Sequence, residues 1–406
     1  VSLANNIEFL RRLPKLNDLI GLNGLPQGFG RGAGSSRLTE TSGFGSNPGD
    51  LKMFSYLPGD QRVRQKLPLV VVLHGCTQNA AGYDTGAGWS MLAARYGFAL
   101  LMPEQKTSNN GNGCFNWFSP EDIARDSGEA LSIRQMIARM TRDHGIDRTR
   151  IFVTGLSAGG AMTAVMLATY PEVFAGGAII AGLPYGIASN VQQALSGMYQ
   201  SPSRPARELG DLVRNATPHN GPWPKLSVWH GSADKTVNPS NANEIVKQWL
   251  DLHGLPPTPM SQSTVDGHPR ALWWNADGET LVESYTITDM AHGIPLGIVD
   301  NDERYGAQGA FMIEAGISSS YHIASFFGLT GRIRQPGEAS DPVAPALTPI
   351  TMAPPAFPPP SPELNPIPWP VAVSPSYAKS RRPPRRPPID VGAVITRALT
   401  AAGLMK

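Results

Sequence analysis

Cysteine is nearly absent from this 406-residue chain, which holds only Cys76 and Cys114. That excludes a disulfide-rich scaffold and a multi-cysteine zinc site, and leaves room for one bridge at most. Charge is scarce too. Asp, Glu, Lys and Arg make up 16% of the chain and the net charge is +2, far from the basic excess of a nucleic-acid binder. No apolar run reaches the roughly 20 residues that cross a bilayer, so no transmembrane segment is expected. The opening Val1-Ser2-Leu3-Ala4-Asn5-Asn6 lacks a basic start followed by an apolar stretch, so no signal peptide is visible. A start without Met points to a processed or incomplete N-terminus, and this absence therefore weighs little.

What is present is apolar material and proline. Hydrophobic residues are 41% of the chain, enough for a substantial core in one large domain or two ordinary ones. Residues 1–48 mix a short amphipathic stretch (Ile7, Leu10, Leu13) with a Gly-rich run from Gly28 to Gly45, which reads as a leader with little fixed structure. Residues 49–330 read as the globular domain. Residues 336–388 hold 18 of the 38 prolines, so 331–388 reads as an extended linker that cannot continue a helix or a central strand. In 389–406, Val391, Val394, Ile395, Ala398, Leu399 and Ala402 mark one face of an amphipathic helix.

Within the globular part, strands and helices alternate. Met53–Pro58, Leu67–Leu73, Phe98–Pro103, Ile151–Thr154, Lys225–His230 and Leu281–Thr288 read as strands. The run Leu67–Leu73 is apolar throughout, as a strand covered on both faces should be. Met91–Tyr96, Ser127–Thr141 and Gly160–Ala168 read as helices. This alternation predicts a mostly parallel sheet with helices on both faces.

The chain is organised around Gly155-Leu156-Ser157-Ala158-Gly159, set between a strand and a helix. That context makes the G-x-S-x-G box the nucleophile elbow of an α/β-hydrolase fold. A serine hydroxyl is a weak nucleophile and needs a histidine base oriented by a carboxylate. In this fold the order is serine, acid, histidine, which removes His74 and His144. Asp234 is the candidate acid, because it follows the strand at Lys225–His230 where such sheets place their sites. His292 is the candidate base, in a Gly- and Pro-broken loop after the strand at 281–288. His230 stands too near Asp234 in sequence to be its base and reads as a packed structural histidine. His219, His253, His268 and His322 read as surface or loop residues.

An oxyanion needs two donors already in place. The amide after the nucleophile, on Ala158, is one candidate. The amide of Cys76, in His74-Gly75-Cys76-Thr77-Gln78 after a buried strand, is the other. Cys114 lies in Gly113-Cys114-Phe115-Asn116-Trp117-Phe118, after a strand that should neighbour Leu67–Leu73. A Cys76–Cys114 disulfide fastening the oxyanion loop to an aromatic wall is one reading, and two free buried thiols are the other. Trp89, Trp117 and Trp223 are candidates to line an apolar substrate groove, against the general tendency of large aromatics to be core. The chemistry requires no metal or cofactor.

Together these segments resemble the polyhydroxybutyrate depolymerase family of serine esterases, which borders on feruloyl and acetyl-xylan esterases. The carrying residues are Leu73-His74-Gly75-Cys76-Thr77-Gln78, Asn116-Trp117-Phe118, Gly155 through Met162, His230-Gly231-Ser232-Ala233-Asp234 and His292-Gly293. The likeness runs over about residues 50 to 328. It implies an α/β-hydrolase with Ser157, Asp234 and His292 as triad and the Cys76 and Ala158 amides as oxyanion donors. It also implies cleavage of short-chain polyhydroxyalkanoates and an extracellular or periplasmic setting. Carbohydrate-linked acyl groups are the alternative substrate, and a cytoplasmic setting the alternative compartment. Members that are secreted usually end in a folded β-rich binding domain, whereas here the linker leads to one short helix. Arg381, Arg382, Arg385 and Arg386 beside that helix could hold it to a polymer, acidic or apolar surface, or simply solvate the tail.

Overall fold

The computed structural model describes residues 37–59, 66–297 and 305–331. The Pro-rich stretch beyond Gly331, the segment 389–406 expected to form a helix, and residues 1–36 lie outside them. In chain order the strands are β1 (Thr39–Thr41), β2 (Lys52–Tyr56), β3 (Leu67–Leu73), β4 (Ala99–Glu104), β5 (Ile146–Leu156) and β6 (Gly176–Ile180). They continue with β7 (Lys225–Gly231), β8 (Ser261–Val265), β9 (His268–Trp274), β10 (Thr280–Ile287), β11 (Ile294–Leu296) and β12 (Met312–Glu314). The helices are α1 (Ala80–Ala87), α2 (Trp89–Tyr96), the single turn α3 (Pro120–Ile123), α4 (Gly128–Asp143) and α5 (Ala158–Thr169). After these come α6 (Val191–Gln200), α7 (Ala206–Arg214), α8 (Ser240–His253) and α9 (Ser319–Phe326).

Ten strands form one sheet in the order β1-β2-β4-β3-β5-β6-β7-β10-β9-β8. The centre, β4 through β10, is parallel, and antiparallel pairs close both ends. Alternation along β3 shows why the central strands read as unbroken apolar runs. Leu69, Val71 and Leu73 enter one core with α4, α5 and α8, while Val70 and Val72 enter the other with α1, α2 and α9. The chain leaves β3 for β4 on one side and returns to β5 on the other. The crevice at the carboxyl ends of β3 and β5 is thus a topological switch point, where open α/β sheets bind ligands.

The sheet corrects two expectations. Residues 37–48 are part of the domain rather than a loose leader, because β1 pairs with β2 from Thr39 opposite Ser55 to Thr41 opposite Met53. Phe44 sits in the core beside them. Strand β6, Gly-Gly-Ala-Ile-Ile, gave no strand signal because glycine is depleted in strands. Its glycines make room for neighbours, since a Cβ on Gly177 would stand 2.5 Å from Leu167 of α5.

Candidate active site

Ser157 sits between β5 and α5 with φ 57° and ψ −119°, a backbone conformation that a non-glycine residue adopts only when its surroundings enforce it. They do so here by close approach. A Cβ on Gly159 would stand 2.3 Å from the Leu73 carbonyl oxygen, and one on Gly155 2.4 Å from that of Gly159. The Ser157 amide donates to the Ile180 carbonyl at 2.9 Å, tying the turn to the end of β6. Both glycines of the box are therefore steric requirements of the turn. Ala158 opens α5, so its amide is among those that have no partner within the helix.

Asp234 follows β7 by three residues, and its side chain is fully buried. Its Oδ1 accepts from the amides of Thr236 at 2.8 Å and Val237 at 2.9 Å. Its Oδ2 lies 2.7 Å from His292 Nδ1 and 3.2 Å from His230 Nε2. Burial by itself would raise this carboxyl, but the bonds from His230, His292 and Val237 outweigh it and hold the acid far below the usual range. The acid-bearing and histidine-bearing loops are laced together. Ser232 and Ala233 donate to the Ile287 and Met290 carbonyls at 2.9 and 3.0 Å, and the Asp289 amide donates to Ser232 Oγ at 2.8 Å. Gly231 permits this, because a Cβ there would stand 2.3 Å from the Met290 carbonyl oxygen. His292 packs edge-on against Phe311, with ring centres 6.1 Å apart.

Ser157, Asp234 and His292 thus stand at the carboxyl ends of β5, β7 and β10, three parallel strands of one sheet. The structure joins the acid and the histidine directly. No hydrogen bond of Ser157 Oγ to the imidazole is present among the described residues. In ligand-free sites such bonds are often long and tighten only when substrate binds.

In the loop after β3, three of the four amides from Gly75 to Gln78 are held. Gly75 donates to Gln78 Oε1 at 2.9 Å, Thr77 to the Asn112 carbonyl at 2.7 Å, and Gln78 to the Gly75 carbonyl at 3.3 Å. Among the described residues the Cys76 amide is the one in this stretch without such a partner. Cys76 is joined to Cys114 in a disulfide, with Cα atoms 4.3 Å apart. Beneath the bridge runs a buried polar chain that sequence reasoning missed. His74 donates from Nδ1 to the Gly75 carbonyl at 2.8 Å and accepts the Gln105 amide on Nε2 at 3.1 Å, which fixes its tautomer. Burial pulls the His74 pKa down. Gln105 Nε2 donates to the Cys114 carbonyl at 3.1 Å and to Glu129 Oε1 at 2.5 Å. Glu129 also accepts from the Asn116 amide at 2.9 Å and its Nδ2 at 2.8 Å. Burial, aided by Asp122, pushes the Glu129 carboxyl well up, while these donors work to keep it an anion. The only sequence sign of the network was polarity where α4 should be apolar.

The bridge closes a loop of 38 residues, which the chain-entropy view values at about 4 kcal/mol. We expect Cys114→Ser to lower the free energy of unfolding in urea by ~2–4 kcal/mol. Two alkylatable thiols in the unreduced native protein would contradict the bridge.

The tryptophans do not form the expected groove. Trp89 is 1% exposed, inside the core formed by α1, α2 and the sheet. Trp117 is 8% exposed and packs edge-on against Phe118. Trp223 is half-buried just before β7 begins, so the length of that strand, about 20 Å, separates it from Asp234. An aromatic count alone gave no means of telling core from rim. His268 also departs from expectation. It is buried in β9, where it bonds the Ala315 carbonyl at 2.7 Å and the Thr288 amide at 3.1 Å.

Comparison with known proteins places the chain in a family. The sequence family described as Esterase PHB depolymerase matches residues 51–263. Poly(3-hydroxyalkanoate) depolymerase C of Paucimonas lemoignei is 48% identical over 295 residues, 72% of this chain and 70% of that protein. An acetylxylan esterase of Coprinopsis cinerea is 34% identical over 268 residues, 64% of this chain and 70% of that one. Among solved structures, the acetyl xylan esterase from Aspergillus awamori superimposes with a TM-score of 0.61 at 24% identity, covering 73% of this chain and all of that one. That likeness establishes the α/β-hydrolase fold. With its family signature spanning β2 to β8 and a relative at 48% identity, the chain is a serine esterase that belongs to the Esterase PHB depolymerase family.

Proposed function

We propose that the protein hydrolyses short-chain polyhydroxyalkanoate esters through an acyl-enzyme, with Ser157, His292 and Asp234 as nucleophile, base and acid. The observation that carries this reading is the 2.7 Å bond from His292 Nδ1 to the buried Asp234 carboxylate. It is made at the same sheet edge where Ser157 is held in its strained turn. With Nδ1 committed to the acid, Nε2 is the nitrogen left to take a proton. Ser157 Oγ attacks the ester carbonyl as its proton passes to Nε2, and the imidazolium is stabilised by Asp234. The tetrahedral oxyanion is met by the amides of Ala158 and Cys76, which need no rearrangement at that moment. His292 then returns its proton to the departing alkoxide. Water repeats the path on the acyl-enzyme and frees the acid.

A neutral, water-insoluble substrate also suits the surface beside the acid. Helix α6 carries no charged residue, and its Tyr199 is 53% exposed. Asn238, four residues after Asp234, donates to the Met198 carbonyl at 2.7 Å and to that of Tyr199 at 3.1 Å, so α6 borders the site. This helix takes the place the tryptophans were expected to fill. The disulfide supports an oxidising compartment, extracellular or periplasmic. A second reading, a carbohydrate esterase, is favoured by the 34% identity to an acetylxylan esterase.

The deciding experiment measures product release from amorphous polyhydroxybutyrate granules beside p-nitrophenyl butyrate, methyl ferulate and acetylated xylan. We expect Ser157-dependent release of hydroxybutyrate from the granules. Serine-dependent release from ferulate or xylan alone would establish the carbohydrate esterase instead.

A further inference from the structure

Asp234 Oδ2 receives two histidines, and the reading above gives work to only one of them. The other, His230, is the sixth residue of β7 and 3% exposed. Its Nε2 lies 3.2 Å from Asp234 Oδ2 and 3.0 Å from the Val237 carbonyl oxygen. A carboxylate and a carbonyl can only accept, so the hydrogen of His230 is on Nε2 and is shared between them. Its Nδ1 is buried with no hydrogen-bond partner among the described residues. Packing alone does not ask for this. A histidine kept for its volume would satisfy both nitrogens or expose one, because a buried unpartnered polar atom costs about 1–3 kcal/mol.

The arrangement completes the carboxylate. Oδ1 takes the amides of Thr236 and Val237, and Oδ2 takes His292 and His230. Four donors therefore occupy the roughly four lone-pair sites of the anion. His230 also closes a ring, because Val237 donates its amide to the carboxylate and offers its carbonyl to the imidazole. A carboxylate torsion is otherwise broad and two-fold, and this ring restricts it.

We propose that His230 is a positioning residue for the acid, donating Nε2–H to Asp234 Oδ2 and to Val237 so that the carboxylate keeps one rotamer and a moderated basicity toward His292. The proposal rests on the triad reading above. Without His230, Oδ2 has one donor fewer, its pull on His292 grows, and the base holds its proton to higher pH. The loosened carboxylate also aligns the imidazole less well. The other charged groups on these loops, Lys235 beside the acid and Asp289 beside the base, are both exposed.

The test compares wild type, His230→Gln, His230→Leu and His230→Asn as full chains, in kcat/KM for p-nitrophenyl butyrate from pH 4 to 9, with unfolding midpoints measured in parallel. Glutamine can bring an N–H to the place of Nε2, whereas leucine has none and asparagine is too short. For leucine we expect the acid limb to move up by about one pH unit and kcat to fall about ten- to a hundredfold with KM little changed. Asparagine should behave like leucine, and serves in its place if leucine does not fold. Glutamine should restore the wild-type limb and most of kcat. A leucine or asparagine variant that is less stable but has an unmoved acid limb overturns the proposal, as does a glutamine variant no better than leucine. Ser157→Ala is run alongside. Hydrolysis near the wild-type rate in it overturns the triad, and the proposal with it.

Discussion

Replacing Ser157 with alanine is expected to cut kcat for ester hydrolysis by about 10⁶-fold, with the fold and the unfolding midpoint left in place. The magnitude is that of removing a serine nucleophile whose partners cannot act without it. The residual rate, about 10³–10⁴-fold above water, comes from the oxyanion amides and binding alone. Stability should hold because the strained turn does not use the hydroxyl. The φ of 57° is enforced by the closeness of Gly155 and Gly159 to neighbouring backbone and by the Ser157 amide bond to Ile180, all of which alanine keeps. Alanine also keeps the Cβ, so the strain is the same before and after. Steady-state kinetics with p-nitrophenyl butyrate, together with thermal unfolding of both proteins, checks the two halves. Turnover near the wild-type rate would refute the nucleophile, and a lowered midpoint would show that the hydroxyl has a structural role.

Why the sequence was so readable here, and where it stopped, follows from which constraints are local. The α/β-hydrolase fold could be read because each central strand is covered on both faces and so is apolar at every position, as in Leu67–Leu73. The elbow could be read because its steric demands fall on Gly155 and Gly159, each two residues from Ser157. Asp234 and His292 could be singled out because the sheet puts useful loops at strand ends, and the ends of two strands were visible. Other features depend on distant partners. Strand β1 is a strand only because β2 lies beside it, and its three residues, Thr-Glu-Thr, carry no pattern of their own. Strand β6 hid its identity behind glycines that α5 and the start of β7 require. Trp89 and Trp223 could not be placed, because a tryptophan looks alike in sequence whether a core or a rim receives it.

The polar chain from His74 through Gln105 to Glu129 is the same case at the site. Each member reads alone as an ordinary polar residue, and only the fold brings residues 74, 105, 116 and 129 into hydrogen-bond range. On the proposed mechanism, in which the Cys76 amide meets the oxyanion, its consequence is functional. The Cys76 amide is held by its neighbours rather than by itself, through the disulfide on one side and the bonds of Gly75 and Thr77 on the other. An oxyanion donor held this way needs no reorganisation during the reaction, which is the condition under which such donors contribute most.

Asp234→Asn should lower kcat by about 10⁴-fold, a loss larger than the removal of one hydrogen bond explains. All four groups around the carboxylate are donors: the amides of Thr236 and Val237 on Oδ1, and His292 and His230 on Oδ2. An asparagine must point its NH₂ at one pair. Turned toward Oδ1 it meets two amide hydrogens, leaving buried donors unpaired at a cost of about 1–3 kcal/mol. Turned toward Oδ2 it meets His292 Nδ1 and drives the hydrogen to Nε2, the tautomer that cannot accept the serine proton. Either way the base is lost or the turn is strained. The same carboxylate sets a pH dependence of folding. Its pKa in the folded protein lies below the unfolded value of about 3.9. The unfolded state therefore binds more protons in acid, so this contribution is fully present above about pH 4 and declines as pH falls further. Thermal unfolding followed from pH 7 to pH 3 should show a steeper acid decline in the wild type than in Asp234→Asn, which has no carboxylate to protonate. Parallel curves would mean that Asp234 is not the acid held down by these four donors, and a near-normal kcat in the variant would remove it from the mechanism.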